Sequence, residues 1–204
     1  MSPKLVKKIG LMAGAFDPIH SGHLALAEAA ARNRQLDEVW LIADPGQPLR
    51  KSPLSSLVHR LAMMDLAVAG SAKVSVYRGE FENSPHNMNT FSSLMDRNGR
   101  NDYVFILGSD SLSHLAAWDD IESVVRLSTF IVTTHGKLGP EVLEKLRSEL
   151  GVVSRDLKVH WITFSGHMNT SSSSARRLLE LGKRPDMLNV DVYNYILQHG
   201  LYKD

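Results

Sequence analysis

The stretch "GAFDPIHSGHLALAEAAA", residues 14–31, decides how this chain is read. It begins where "KIGLMAG" (8–14), an apolar run of strand length, comes to an end. It turns through Asp17–Pro18 and enters "GHLALAEAAARNRQ" (22–35), an alanine-rich segment that reads as a helix. A plain strand-to-helix turn needs a small residue and a cap; it does not call for His20 and His23. At a helix start the backbone N–H groups are free and the dipole is positive, so the turn is a natural anion site. Gly14 and Gly22 carry no side chain and would admit a ligand close to the backbone. Histidines at i and i+3 share one face of the first turn. Each can donate a hydrogen bond to a phosphate oxygen and carry charge near neutral pH. Together they suit a phosphoryl group that gains negative charge during transfer. Two other readings stay open: a surface or capping pair, or half of a zinc site with Asp17 as a third ligand.

Outward from this turn the chain alternates. "DEVWLIA" (37–43) is a strand, "DPGQPLRKSP" (44–53) a loop full of breakers, and "LSSLVHRLAMMDLAVAG" (54–70) an amphipathic helix. "KVSVY" (73–77) is a strand, "RGEFENSPHN" (78–87) irregular, and "MNTFSSLMDRN" (88–98) a short helix. "DYVFILG" (102–108) is a strand, and "SDSLSHLAAW" (109–118) opens a helix with serine and aspartate as caps. "STFIVTT" (128–134), "GPEVLEKLRSELG" (139–151) and "LKVHWITF" (157–164) read as strand, helix and strand. "SSSSARRLLELG" (171–182) and "NVDVYNYILQHG" (189–200) close the chain as helices. This alternation predicts an α/β fold, a parallel sheet with helices on both faces. Ligands of such sheets bind beyond the carboxyl ends of the strands. Residues 14–23 and 108–110 fall on that edge. Residues 1–204 are expected to form one domain, with a helical portion from about 171 to 204.

With 204 residues, 43% hydrophobic and 22% charged, the composition is that of an ordinary globular protein with a sizeable core. The absence of cysteine excludes disulfides, thiolate metal sites and cysteine nucleophiles. The apolar run after the N-terminal lysines is too short for a signal peptide, and none approaches the roughly 18 residues of a membrane span. The cytoplasm is the expected location. The net charge of +1, without acidic or basic tails, points to neither a nucleic-acid duplex nor a membrane surface as partner.

Other residues suit the same chemistry. Serines 171–174 can cap a helix whose N–H groups also hold phosphate, and Arg176 or Arg177 adds a bidentate fork; equally, they form a serine-rich cap with solvated arginines. Asp110, just after Gly108, either accepts from ribose hydroxyls or caps its helix. Trp118 offers a flat π surface or a core side chain. Lys51 is a loop lysine, and Arg60 reads as well as a charge on a helix face.

"GAFDPIHSGHL" resembles the "GGTFDPIHxGHL" signature of the HxGH nucleotidyltransferases. "HRLAMMDLA", "YVFILGSDSLSHLAAW", "TSSSSARRLLELG" and "YNYILQHGLY" are similar, in order, to segments of the nicotinate-nucleotide adenylyltransferases of that superfamily. The resemblance runs nearly end to end and implies a Rossmann-like nucleotidyltransferase fold whose C-terminal helices complete the nucleotide site. It implies adenylyl transfer from ATP to nicotinate mononucleotide, with magnesium (Mg2+) on the triphosphate and no protein metal site. It implies His20, His23 and Arg176 as catalytic residues, and Ser172, Ser173 and Ser174 around the triphosphate. Gly14, Ala15, Phe16, Gly22 and Lys51 would then contact substrate, Gly108 and Asp110 the ribose, and Trp118 the pyridine ring. The family's "SYTxxTL" segment appears as "PHNMNTF" (85–91), with His86 and Asn87 in place of tyrosine and threonine. Asn87 and Thr90 fall there. "THGK" around His135 and Gly136 stands where "RRPG" is common. Both changes lie where the pyridine group would be read and leave acid or amide substrate open. Another phosphate acceptor and a catalytically silent nucleotide sensor are the other readings. Homo-oligomers are frequent in the family, and the sequence does not decide that point.

Overall fold

Lys8–Gly14 forms β1, an apolar strand whose residues alternate between the two faces of the sheet. The computed structural model describes residues 6–43, 55–79, 94, 97–99, 101–108, 115–117, 121–134, 140–163 and 170–203. The other strands are β2 (Glu38–Ala43), β3 (Val74–Val76), β4 (Asp102–Gly108), β5 (Thr129–Thr134) and β6 (Val159–Thr163). The helices are α1 (Ser21–Arg34), α2 (Leu57–Val68), α3 (Ile121–Leu127), α4 (Pro140–Leu150), α5 (Ser172–Glu180) and α6 (Val190–Gln198). The predicted helix at 109–118 appears, in its described residues, as a 3₁₀ turn over Leu115–Ala117. The seven-residue α3 is too short to show a clear period, and the sequence reading did not assign it.

The six strands are parallel in the order β3-β2-β1-β4-β5-β6, the doubly wound arrangement. Each face carries its own core. On one face Met12, Val104, Ile106 and Ile131 meet Leu26, Ala27 and Ala30 of α1, Met63 and Met64 of α2, and Ala175, Leu179, Val192 and Ile196 of α5 and α6. On the other, Ile9, Leu11, Phe105, Phe130 and Val132 meet Val124 and Val125 of α3 and Leu146 of α4. The C-terminal helices therefore share a core with α1, which brings the starts of α1 and α5 together.

Candidate active site

The chain reverses its winding between β1 and β4, and there the sheet opens. β1 and β4 pair only from Lys8↔Asp102 to Leu11↔Phe105. β1 stays paired with β2 as far as Gly14↔Ala43, and β4 with β5 as far as Gly108↔Thr133. The last three residues of each central strand thus hold only their outer neighbours, and a crevice opens at the carboxyl edge. Among the described residues, a Cβ at Gly108 would meet nothing within 4 Å.

The turn after β1 is held by side chains from distant helices. Phe16 is buried (2% exposed) with φ of 48°, a left-handed conformation kept by a non-glycine residue only where its surroundings impose it. Asp17–Pro18 is cis. Three carbonyls of the turn are engaged: Arg60 Nη1 donates to Ala15 at 2.7 Å, Arg176 Nη1 to Asp17 at 2.6 Å, and Ser172 Oγ to Pro18 at 2.9 Å. Arg60 is only 1% exposed and its Nε also donates to the Ser55 carbonyl at 3.3 Å. It is a buried clamp on the turn and not a helix-face charge. A guanidinium tolerates this position because its donors find backbone acceptors.

The Asp17 carboxylate (4% exposed) accepts on Oδ1 from the Ser55 N–H at 3.3 Å, the Ser55 hydroxyl and the Tyr202 hydroxyl at 2.6 Å. The Ser55 and Tyr202 hydroxyls lie 2.7 Å apart. Burial, and then the neighbouring Asp17, push the Tyr202 phenol far above its usual range, so it stays a protonated donor. This engagement argues against Asp17 as a metal ligand. Among the described residues, no group of three histidine or acidic side chains is placed to hold a metal ion.

His20 is the N-cap of α1, extended at φ −142° and ψ 170°, and His23 sits at the third helical position. The His20 N–H donates to His23 Nδ1 at 3.3 Å, and the His23 N–H to the His20 carbonyl at 3.0 Å. With Nδ1 accepting, a neutral His23 carries its proton on Nε2. The two imidazoles stack at 3.7 Å with 24° between planes, and Phe16 meets His23 edge-on at 5.0 Å. His20 is only 7% exposed and is not a solvated surface histidine; its stacked neighbour His23 is half-buried.

The two glycines serve the protein's own packing. A Cβ on Gly14 would lie 3.2 Å from the Phe16 ring. One on Gly22 would lie 2.3 Å from Thr170 Oγ1 and 3.0 Å from His20 Nδ1. The side chains absent at these two positions leave the room that Phe16 and Thr170 take.

At α5 the cap is Ser171, whose Oγ accepts from the Ser174 N–H at 3.0 Å. Ser173 Oγ accepts from Arg176 Nη2 at 3.2 Å, and Ser172 is tied to Pro18. The structure thus gathers Gly14, Ala15, Phe16, His20, Gly22, His23, Ser172, Ser173, Ser174 and Arg176 around one turn, with Gly108 on the adjoining strand edge. Lys51, Asn87, Thr90, Asp110 and Trp118 lie outside the described residues, as do His86 and His135. Sequence reasoning missed Ser55, Arg60 as a clamp, and Tyr202. The closing "GLY" (200–202) was a visible signal for the last.

Residues 11–178 match the cytidylyltransferase-like family. A probable nicotinate-nucleotide adenylyltransferase of Bordetella avium is 32% identical over 202 residues, 97% of this chain and 99% of that protein. A probable enzyme of the same name from Streptococcus pyogenes is 29% identical over 97% of this chain and 89% of its own length. Plasmodium falciparum nicotinic acid mononucleotide adenylyltransferase, complexed with NaAD, shares the fold with a TM-score of 0.77 at 20% identity, over 96% of this chain and 97% of that one. The chain belongs to the cytidylyltransferase-like family and, within it, to the nicotinate-nucleotide adenylyltransferases.

Proposed function

We propose that this protein transfers the adenylyl group of ATP to nicotinate mononucleotide, giving nicotinate adenine dinucleotide and pyrophosphate. An oxygen of the mononucleotide 5′-phosphate attacks the α-phosphorus. The bond from that phosphorus to the oxygen bridging the β-phosphate breaks, and pyrophosphate leaves with the bridging oxygen and its electrons. A phosphate monoester is already an anionic nucleophile, so no protein nucleophile or strong base is required. The protein supplies position and charge stabilisation.

The observation that carries this reading is the stacked His20–His23 pair at the start of α1, beside a turn that Arg176 and Ser172 of α5 bind directly. In this proposal His20 and His23 hold the transferring phosphate. Arg176, Ser173, Ser174 and Ser172 flank the departing pyrophosphate, with Lys51 near the phosphates. The backbone of 14–16 and 22 lies along the nucleotide, Gly108 and Asp110 meet the ribose, Trp118 stacks on the pyridine, and Asn87 and Thr90 read its substituent. Magnesium, when bound, neutralises and orients the triphosphate. Imidazole, guanidinium and hydroxyl groups around the turn fit an ion carried by ATP oxygens and water, not an all-protein cage. No described helix is long and apolar enough to cross a membrane; a cytoplasmic location is part of the proposal.

Pyrophosphate release with ATP and magnesium tests the reading, with nicotinate and nicotinamide mononucleotides assayed side by side. Faster turnover of the acid is expected. Preference for the amide would assign the altered "PHNMNTF" segment a changed specificity, and no release with either would overturn the proposal.

A further inference from the structure

The C-terminal segment reaches across the whole chain to the turn that carries the histidines. After α6, Gly200 (φ 62°) and Tyr202 (φ 58°) take left-handed conformations, and the Leu201 N–H donates back to the Ile196 carbonyl at 3.1 Å. This is a helix stop of the kind glycine favours. Leu201 and Tyr202 then pack against the core beneath α1. Tyrosine is a poor residue for a left-handed position and holds it only where other contacts over-determine the site. Those contacts are polar: the Tyr202 hydroxyl donates to Asp17 Oδ1 at 2.6 Å and lies 2.7 Å from Ser55 Oγ. Asp17 also offers its carbonyl to Arg176 and stands three residues before His20. Its carboxylate is therefore the point at which the C-terminus and the start of α2 meet the histidine turn.

Resting on the adenylyl-transfer reading, we infer that Tyr202 is a positioning residue for that reaction, acting through Asp17 to set the seat of His20 and His23. Packing of the ring anchors the tail. The hydroxyl adds a specific link to the turn, because its removal leaves Asp17 Oδ1 with Ser55 alone among these two partners. It touches no substrate in this account. Its effect is on where the imidazoles stand, so it should appear in kcat more than in KM.

The test is Tyr202→Phe, which keeps the ring and deletes the hydroxyl. Imidazole NMR signals of the ligand-free protein, assigned with His20→Ala and His23→Ala, report the seat of the pair without turnover. His20 and His23 signals are expected to move, while that of His160 on the edge strand β6 stays. The kcat should fall about tenfold, with KM values within about twofold, because small misplacements at a reacting centre are costly. A folded Tyr202→Phe protein with unmoved His20 and His23 signals and wild-type kcat would overturn the inference, whatever its melting temperature. If that variant fails to fold, Ser55→Ala removes the hydroxyl's neighbour from the other side. The same two signals should shift, and unmoved signals would overturn the inference. Wild-type protein that releases no pyrophosphate would sink the adenylyl-transfer reading alone, since the NMR shifts still judge the link.

Discussion

Two helices begin beside the same turn, and they are capped in different ways. At α5, Ser171 accepts from the Ser174 N–H at 3.0 Å, an ordinary cap from a residue well suited to it. At α1 the corresponding place is taken by His20, whose own N–H is held by the ring of His23. Histidine is not a favoured cap, so α1 gives up a good start to put two imidazoles where serine and glutamate would serve stability better. The α5 start stabilises its helix and ties it to the turn through Ser172. In the proposed function the α1 start holds the transferring phosphate. One helix terminus is structural in its cap, and the other, in that proposal, is chemical.

That contrast can be broken by substitution. His20→Ala should lower kcat/KM by about 10²–10³, the loss seen when a donor to developing charge is removed. Its melting temperature should fall as well, since alanine deletes a buried ring stacked on His23. Gly22→Ala comes next. The new Cβ would stand 2.3 Å from Thr170 Oγ1, on the residue before the α5 cap, so either Thr170 must turn its side chain or the two helix starts must separate. Overpacking of this kind costs about 1–3 kcal/mol, read as a lower denaturant midpoint. Ser171→Ala should cost about 1 kcal/mol of stability while kcat stays within about threefold of wild type. A rate loss as large as that of His20→Ala would erase the distinction between the two termini.

The smallest effect lies on the sheet edge. Burial, then the charges of Arg34 and Lys8, hold His160 below its ordinary value of 6.5. The unfolded chain therefore takes up this proton first, so stability falls as pH drops below about 6.5 and is unaffected by this residue above it. His160→Gln should flatten that acid limb in pH-dependent unfolding.

The strands were legible because each is a short apolar run between breakers: "KIGLMAG" and "DYVFILG" coincide with β1 and β4 to the residue. His20 and His23 stood out because a helix start rarely needs them, and the serines because they make good caps. What escaped depended on partners far away in the chain. Arg60 looks like a solvated charge until Ala15, 45 residues earlier, supplies its acceptor. Tyr202 meets Asp17 across 185 residues. Gly22 suggested room for a ligand, and that its missing side chain also makes room for Thr170 shows only once the chain has folded. The shortened pairing of β1 and β4, which opens the crevice, depends on strand order, and no local period encodes that order.

The most direct test of the account is the single-turnover rate of adenylyl transfer in His20→Ala, measured beside its affinity for a methylene analogue of ATP. A histidine that acts on charge developing at the transferring phosphate should cost about 10²–10³ in rate and no more than a few-fold in affinity. Equal losses in both would make His20 a plain binding residue, and an unchanged rate would contradict the assignment of the α1 terminus to the chemistry.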